Sequence, residues 1–200
     1  TPCGTLFPYT TLFRSLCSLG DGMSQQGEVL EAVAQSVRDK LPILFLIQDN
    51  AFAISTKTEG KTFYRTPAGK QDTFYTVPVT WIDGRHPLEA FQAFGKITEC
   101  IRKNGKPAIA VMEVDRLSNH TNADDQRMYR SPEEIQHARE TGDPIINLQQ
   151  VLENRGVSPE DLSGLADGIR SELRKQVRKV QRMPEPEPLH TAVPPLSAEL

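Results

Sequence analysis

The chain has 200 residues, of which 38% are hydrophobic and 24% charged, and its formal net charge is −3. These values are typical of one globular domain with a short tail. They exclude the strongly basic field of a nucleic-acid-binding protein. No apolar run in the sequence approaches the ~20 residues of a membrane-spanning helix, so we expect neither a nucleic-acid nor a membrane partner. Cys3, Cys17 and Cys100 have no metal-site spacing and cannot all pair, which favours a reducing compartment and a cytoplasmic location.

The first 15 residues differ in character from the rest of the chain. Their segment Thr5–Ser15, TLFPYTTLFRS, matches the in-frame translation of a common short-read sequencing adapter, and the layout of a secretory signal is missing. We therefore expect residues 1–15 to be a non-native leader that packs weakly, with the native sequence beginning near Leu16 inside a strand. An ordinary irregular N-terminal arm is the alternative.

Apolar patterns between Leu16 and Val114 predict strands that alternate with helices. The strands are predicted over residues 16–19, 43–47, 77–82 and 108–114. The helices are predicted over residues 27–40 and 87–103, and Phe91 is expected to face the core. The polar residues 55–76 predict a long loop. This alternation predicts an α/β fold with a mostly parallel sheet. Cys17 and Cys100 are expected to be small buried side chains.

Helix-start signals dominate the second half of the sequence. A polar loop over residues 116–130 precedes Ser131-Pro-Glu-Glu134, which is a capping box with proline at the first helical position. Two further helices are predicted to begin at Pro144 and Pro159. The predicted organisation is a leader (1–15), an α/β domain with its loop (16–130), a helical C-terminal extension (131–183) and a Pro-rich tail or linker (184–200).

Two predicted strands end in residues that suit a metal-bound phosphate group. Gly20-Asp21-Gly22 follows the first strand, Asp49-Asn50 follows the second, and the carboxyl ends of parallel strands share one edge of a sheet. Glycine allows close approach of the backbone to a ligand, and one acid with one amide oxygen suits Mg²⁺. Taken separately, Gly20-Asp21-Gly22 can be explained as a turn and Asp49-Asn50 as a cap. The 26 intervening residues, with one helix and one strand, favour a joint site.

The two longest motifs resemble the α subunit of the thiamine-diphosphate-dependent first component of 2-oxo acid dehydrogenase complexes. They are GDGMSQQGEVLEAVAQSVRDKLPILFLIQDNAFAIST and RLSNHTNADDQRMYRSPEEI. The resemblance extends from about Leu16 to the end of the chain. It implies a truncated thiamine-diphosphate-binding fold, with helices on both faces of the sheet and a helical C-terminal extension. It also implies oxidative decarboxylation of a 2-oxo acid and transfer of the acyl group to lipoyl, with thiamine diphosphate and Mg²⁺ as cofactors.

The resemblance implies roles for residues of the first motif. Asp21 and Asn50 match side-chain ligands of Mg²⁺, and Phe52 matches the position whose backbone carbonyl completes the protein ligands. Gly22 and Met23 match backbone amides at the cofactor diphosphate. These five residues would therefore hold the metal and the phosphate end of the cofactor.

Three more residues receive roles from the resemblance. Ile54 matches an apolar contact to the cofactor rings. His120 matches the catalytic loop histidine that reaches the diphosphate and the reaction site, and Arg116 matches the arginine that steadies this loop.

The resemblance also implies partners for the chain. They are a β subunit or fused β part in an α2β2-like assembly, a lipoyl-bearing acyltransferase, and a small 2-oxo acid. The chain matches the C-terminal half of an α part, so we expect it to be inactive alone. The alternatives are another thiamine-dependent enzyme of the transketolase type and a non-catalytic phosphate-binding module.

Overall fold

The computed structural model describes residues 15–185. The chain divides after Leu152 into two compact units. The expectations for the leader up to Arg14 and for the tail from residue 186 lie outside the described residues. The predicted domain boundaries after residues 15, 130 and 183 stay predictions.

The described chain contains strands, five α-helices and two short 3₁₀ helices. The strands are β1 (Ser15–Gly20), β2 (Ile43–Asp49), β3 (Phe52–Ala53), β4 (Thr56–Lys57), β5 (Arg65–Thr66), β6 (Gly69–Lys70), β7 (Thr73–Phe74), β8 (Val77–Asp83) and β9 (Ala108–Glu113). The α-helices are α1 (Gly27–Arg38), α2 (Pro87–Asn104), α3 (Pro132–Thr141), α4 (Pro144–Asn154) and α5 (Pro159–Gln181). Among residues 15–185, no helix is long and apolar enough to cross a membrane.

The main sheet has five strands in the order β1-β2-β9-β8-β7. The first four are mutually parallel, because α1 and α2 return the chain to the same end of the sheet before β2 and β9. The short strand β7 pairs antiparallel with β8. The predicted α/β fold with a mostly parallel sheet is therefore confirmed.

Helices cover both faces of the sheet. On one face, Val33 of α1 packs with Phe45 and Ile47 of β2. On the other face, Ile97 and Ile101 of α2 pack in the cluster that contains Leu44 and Ala110. A strand buried on both sides needs apolar residues at successive positions, which explains the uninterrupted ILFLI run of β2.

Two sequence expectations about burial are wrong. Phe91 is 79% exposed, because Ala90 of α2 turns toward the sheet in its place. Cys17 and Cys100 are exposed; Cys17 lies on β1, which has a neighbour on only one side in the described sheet. The predicted strand over residues 16–19 is confirmed, since these residues pair with β2, and it extends by one residue at each end. At its start the Ser15 N–H donates to the Pro42 carbonyl at 3.2 Å.

The stretch between β2 and β8 is more ordered than a loop. It contains the hairpin pairs β3–β4 and β5–β6 and the strand β7. Its residues Thr58 and Tyr64 are buried. This excursion therefore packs over the carboxyl end of the sheet and contributes side chains there.

The predicted helix starts of the second half are confirmed. Ser131 and Glu134 form the complete capping box of α3. Ser158 accepts a hydrogen bond from the Asp161 N–H at the start of α5.

Candidate functional site

Asp21 directly follows β1, and its carboxylate is buried and held from two sides. It is 4% exposed. The Gly22 N–H donates to Oδ1 at 2.9 Å, and the Thr58 hydroxyl donates to Oδ2 at 2.9 Å. The Ser24 hydroxyl donates to the Asp21 carbonyl at 2.6 Å. Each carboxylate oxygen keeps a free lone pair, so the oriented group can still accept a cation.

The turn after β1 touches the turn after β2. Gly20 pairs with Gln48 in the sheet register. A Cβ added to Gly22 would lie only 2.7 Å from the Cβ of Ala53, so only glycine fits there without a shift. The Asp21 and Asn50 motifs therefore lie at the same edge of the sheet, as predicted from their spacing.

The turn over residues 50–54 has an unusual backbone. Asn50 Oδ1 accepts the Phe52 N–H at 3.0 Å, and Asp49 Oδ1 accepts the Ala51 N–H at 2.9 Å. Ala51 and Ile54 have positive φ angles of 63° and 56°. Positive φ is unfavourable for a β-branched residue such as Ile54, and such strain persists only where surrounding contacts impose it.

Arg116 supplies those contacts. One guanidinium nitrogen donates to the Phe52 carbonyl at 2.9 Å and to Asn50 Oδ1 at 3.3 Å. The other donates to the Ile54 carbonyl and, at 3.0 Å, to the Tyr129 hydroxyl. Amide and carbonyl oxygens are suitable ligands for Mg²⁺. In the structure, Asn50 Oδ1 and the Phe52 carbonyl accept hydrogen bonds from Arg116, so a metal bound there would displace the guanidinium from these two oxygens.

The phenyl ring of Phe52 is packed among cationic and aromatic groups. It is 9% exposed. The guanidinium carbons of Arg116 and Arg130 lie 5.7 and 5.6 Å from the ring centroid, and the Tyr129 ring centroid lies 5.8 Å away. Cations over a ring face are attracted to it. The buried ring thus helps to fix the direction of the Phe52 carbonyl.

A hydrogen-bonded chain connects Arg116 to the backbone of His120. The Tyr129 hydroxyl donates to Asp124 Oδ2 at 2.7 Å, and the His120 N–H donates to the same oxygen at 2.8 Å. The bond from the His120 backbone, followed by that from Tyr129, lowers the pKa of Asp124 below its ordinary value. The loop that contains His120 is thereby tied to the oxygens of the 50–54 turn.

The side chains of three predicted site residues are exposed. Met23 and Ile54 are 56% and 57% exposed, and His120 is also exposed. The structure therefore brings Asp21, Gly22, Asn50 and their neighbours together. His120 is connected to them through the hydrogen bonds of Arg116, Tyr129 and Asp124.

The family of this chain is decided by a match over most of its length. The family model described as "Dehydrogenase E1 component" matches residues 14–189. The chain belongs to the dehydrogenase E1 component family. The E1 membership agrees with the resemblance of the two motifs and disfavours the transketolase-type alternative.

Several E1 relatives are known by name. The chain is 30% identical over 177 residues to the mitochondrial pyruvate dehydrogenase E1 component subunit alpha of Dictyostelium discoideum, covering 86% of this chain and 45% of the relative. It is 29% identical over 181 residues to the corresponding subunit of Zymomonas mobilis, covering 90% and 51%, and 30% identical over 168 residues to that of Bacillus subtilis, covering 83% and 45%. The chain spans about half the length of the curated relatives it matches.

A charged cavity of about 250 Å³ opens beside the Asn50 motif and is lined in part by Asp49 and Asn50. Arg65 Nη2 lies 3.1 Å from Asp49 Oδ2 and 2.8 Å from Glu113 Oε1. Burial raises the pKa of Asp49 despite the opposing bonds from Ala51 and Arg65. Within residues 15–185, no cluster of three or more His, Cys, Asp and Glu side chains could hold a metal. A metal held by the Asp21 and Asn50 motifs would therefore need amide, carbonyl or ligand oxygens in addition to carboxylate.

A larger cavity of about 760 Å³ lies elsewhere, between α2 and the first residues of β8 and β9. It is lined by Val77 and Ala108, which begin these strands, and thus does not adjoin the Asp21 and Asn50 motifs at the carboxyl edge. We assign it no role in the site.

Sequence reasoning missed the contribution of Thr58 and Tyr64, because residues 55–76 were expected to be a loop. Tyr64 is fully buried, and burial raises its pKa far above the ordinary value. The aromatic residues in this otherwise polar stretch indicate that part of it is buried, because aromatic side chains are seldom fully exposed in loops.

Proposed function

We propose that this chain holds the metal and diphosphate end of thiamine diphosphate in a 2-oxo acid dehydrogenase. The observation that carries the proposal is the close approach of the Asp21 and Asn50 motifs, which brings the oriented Asp21 carboxylate to the same sheet edge as Asn50 Oδ1 and the Phe52 carbonyl. Membership of the E1 family supports the same function.

Asp21, Asn50 and the Phe52 carbonyl would be the protein ligands of Mg²⁺. Mg²⁺ takes oxygen ligands and keeps several positions for water and substrate phosphate. A single carboxylate compensates only one of the two positive charges of Mg²⁺, which favours an anionic diphosphate as the remaining ligand. The amides of Gly22 and Met23 would approach that diphosphate, although the Gly22 N–H also donates to Asp21.

Thiamine diphosphate supplies, when bound, the carbanion-stabilising chemistry that a 2-oxo acid needs to lose carbon dioxide. Ile54 would contact the cofactor rings with its exposed side chain. His120 would hold or move a proton near the reacting atoms. Arg116 would position the loop, because it joins Tyr129 to the oxygens of the 50–54 turn.

The proposal includes partners and a substrate class. A β subunit or fused β part would complete the site in an α2β2-like assembly, and a lipoyl-bearing acyltransferase would receive the acyl group. The relatives are named pyruvate dehydrogenase subunits, which favours pyruvate as the first 2-oxo acid to assay. Branched-chain 2-oxo acids are the second class to assay.

Calorimetric titration tests the proposal at the level of binding. Thiamine diphosphate with Mg²⁺ is titrated into the chain, alone and mixed with a β subunit of an E1 enzyme. We expect binding that needs Mg²⁺, that tightens with the β subunit, and that Asn50→Ala weakens. The matched control Asn104→Ala, at the end of α2, leaves binding unchanged. Equal binding of inorganic diphosphate and thiamine diphosphate would favour the phosphate-binding module, and no binding in the mixture would refute the proposal.

Limited proteolysis tests the role assigned to the loop. Residues 116–130 are predominantly polar and bury little apolar surface to offset an ordering cost of about 1–2 kcal/mol per residue. We expect ready cleavage in the isolated chain and protection when cofactor and β subunit are both bound. Equal cleavage in the two states would remove the case for His120 as a catalytic residue.

A further inference from the structure

Helix α5 carries an apolar stripe that is largely exposed in the part of the chain that the structure describes. It has 23 residues. At 100° per residue, six apolar side chains fall within an arc of about 120°. They are Leu162, Leu165, Ile169, Leu173, Val177 and Val180. Leu162 is half-buried and the other five are between 53 and 64% exposed. A continuous stripe of this kind is typical of a helix that packs against a partner.

The stripe is symmetric about Ser171. Leu162 and Val180 lie equally far from this residue, and so do Leu165 and Val177. Ile169 and Leu173 form the innermost pair, two residues to either side. Two identical helices that run antiparallel and cross at Ser171 would therefore place apolar side chains opposite each other in every layer. Such self-complementarity is what an interface with two-fold symmetry requires.

The charged residues of α5 are unevenly distributed between its two halves. The half before Ile169 carries acidic residues and no basic ones: Glu160, Asp161 and Asp167. The half after Ile169 is mainly basic: Arg170, Arg174, Lys175, Arg178 and Lys179, with Glu172 as the one acid. Antiparallel pairing brings unlike halves together, and parallel pairing brings like halves together. Like charges in direct opposition are unfavourable, so the charges favour the antiparallel arrangement.

Two flanking pairs make the charge argument specific. Asp161 and Lys179 lie along the same side of the stripe, and Asp167 and Arg174 lie along the other side. With the crossing at Ser171, Asp161 of one helix faces Lys179 of the second copy. Asp167 likewise faces Arg174. This is the arrangement by which flanking charges select the partner and orientation of paired helices.

We infer that α5 is a self-association surface that pairs antiparallel with α5 of a second copy of this chain. The apolar stripe supplies the contact, and the flanking charges set the orientation. Gly164 and Gly168 lie away from the stripe and weaken the isolated helix, so its order gains from the pairing. This inference is independent of the proposed cofactor site.

The molar mass of the full chain in solution tests the pairing. We expect sedimentation equilibrium to give twice 22.3 kDa at high concentration. Ile169→Glu puts a carboxylate into the central layer and should weaken the dimer at least about tenfold, because burying an unpaired charge is costly. The matched control Ser171→Glu adds the same charge on the opposite face and leaves the dimer unchanged. A monomer at every concentration, or a dimer insensitive to Ile169→Glu, would overturn the inference.

A charge swap tests the orientation. Asp161→Lys places two lysines in opposition and should weaken the antiparallel dimer, and adding Lys179→Asp should restore it. Parallel pairing predicts no such rescue, so a double variant that dimerises no better than Asp161→Lys would overturn the antiparallel arrangement. Cofactor titration of the same variants separates this result from the proposed function, since none of the changes touches the site residues.

Discussion

The hydroxyl of Thr58 should be necessary for the stability of the buried Asp21 carboxylate. Thr58→Val keeps the shape of the side chain and removes the donor 2.9 Å from Asp21 Oδ2. A hydrogen bond to a charged group contributes about 1.5–3 kcal/mol net. The added methyl group recovers at most about 0.8 kcal/mol. The free energy of unfolding should therefore fall by ~1–2 kcal/mol, which lowers Tm by roughly 2–8 °C in a chain of this size.

Urea denaturation measures this change directly. The sequence contains one tryptophan, Trp81, which lies half-buried in β8, and its fluorescence reports on the sheet. Thr58→Ser retains the hydroxyl and deletes only a methyl group, so it should cost about 0.8 kcal/mol. Thr98→Val is the matched control, because its hydroxyl donates to a carbonyl within α2, away from the site. If Thr58→Val costs no more than Thr98→Val, the Thr58 hydroxyl does not support Asp21.

Two further variants test the charges and the close approach at this edge. Burial raises the pKa of Glu113, but the hydrogen bonds from Lys70 and Arg65 lower it by more than burial raises it. The pKa of Glu113 therefore lies below its ordinary value of 4.5. The stability that ionised Glu113 contributes is fully present above pH 4.5 and is lost as the pH falls through the lower pKa of the folded chain. Glu113→Gln should therefore lower Tm at neutral pH. The difference in Tm from the unsubstituted chain should shrink well below pH 4.5. Gly22→Ala should cost about 1–3 kcal/mol because of its clash with Ala53. Added Ala53→Gly should recover part of that loss, and Gly20→Ala, which has open space for a Cβ, should cost less. Calorimetric Tm values that show no pH-dependent difference for the first variant, or no rescue for the second, would contradict these arguments.

Local pattern was sufficient to predict the main elements of the fold. The run ILFLI predicts a strand covered on both faces, and the structure covers it with α1 and α2. The capping box at Ser131 predicts the start of α3. These features depend on periodicity and on hydrogen bonds between residues close in the chain, so the sequence by itself determines them. The spacing of the Asp21 and Asn50 motifs likewise determined that they meet at one edge.

Only the tertiary structure decided which side chains support that edge. Thr58 reaches Asp21 from 37 positions away, and Arg116 reaches Asn50 from 66 positions away. Neither contact leaves a periodic signal, because each depends on how separate segments pack over the ends of the strands. Phe91 shows the same limit, since an apolar residue at helical spacing is exposed where its neighbour Ala90 faces the sheet. Sequence pattern determines which elements form, and packing between distant segments determines which residues meet, because long-range contacts are chosen by shape and charge complementarity rather than by local spacing.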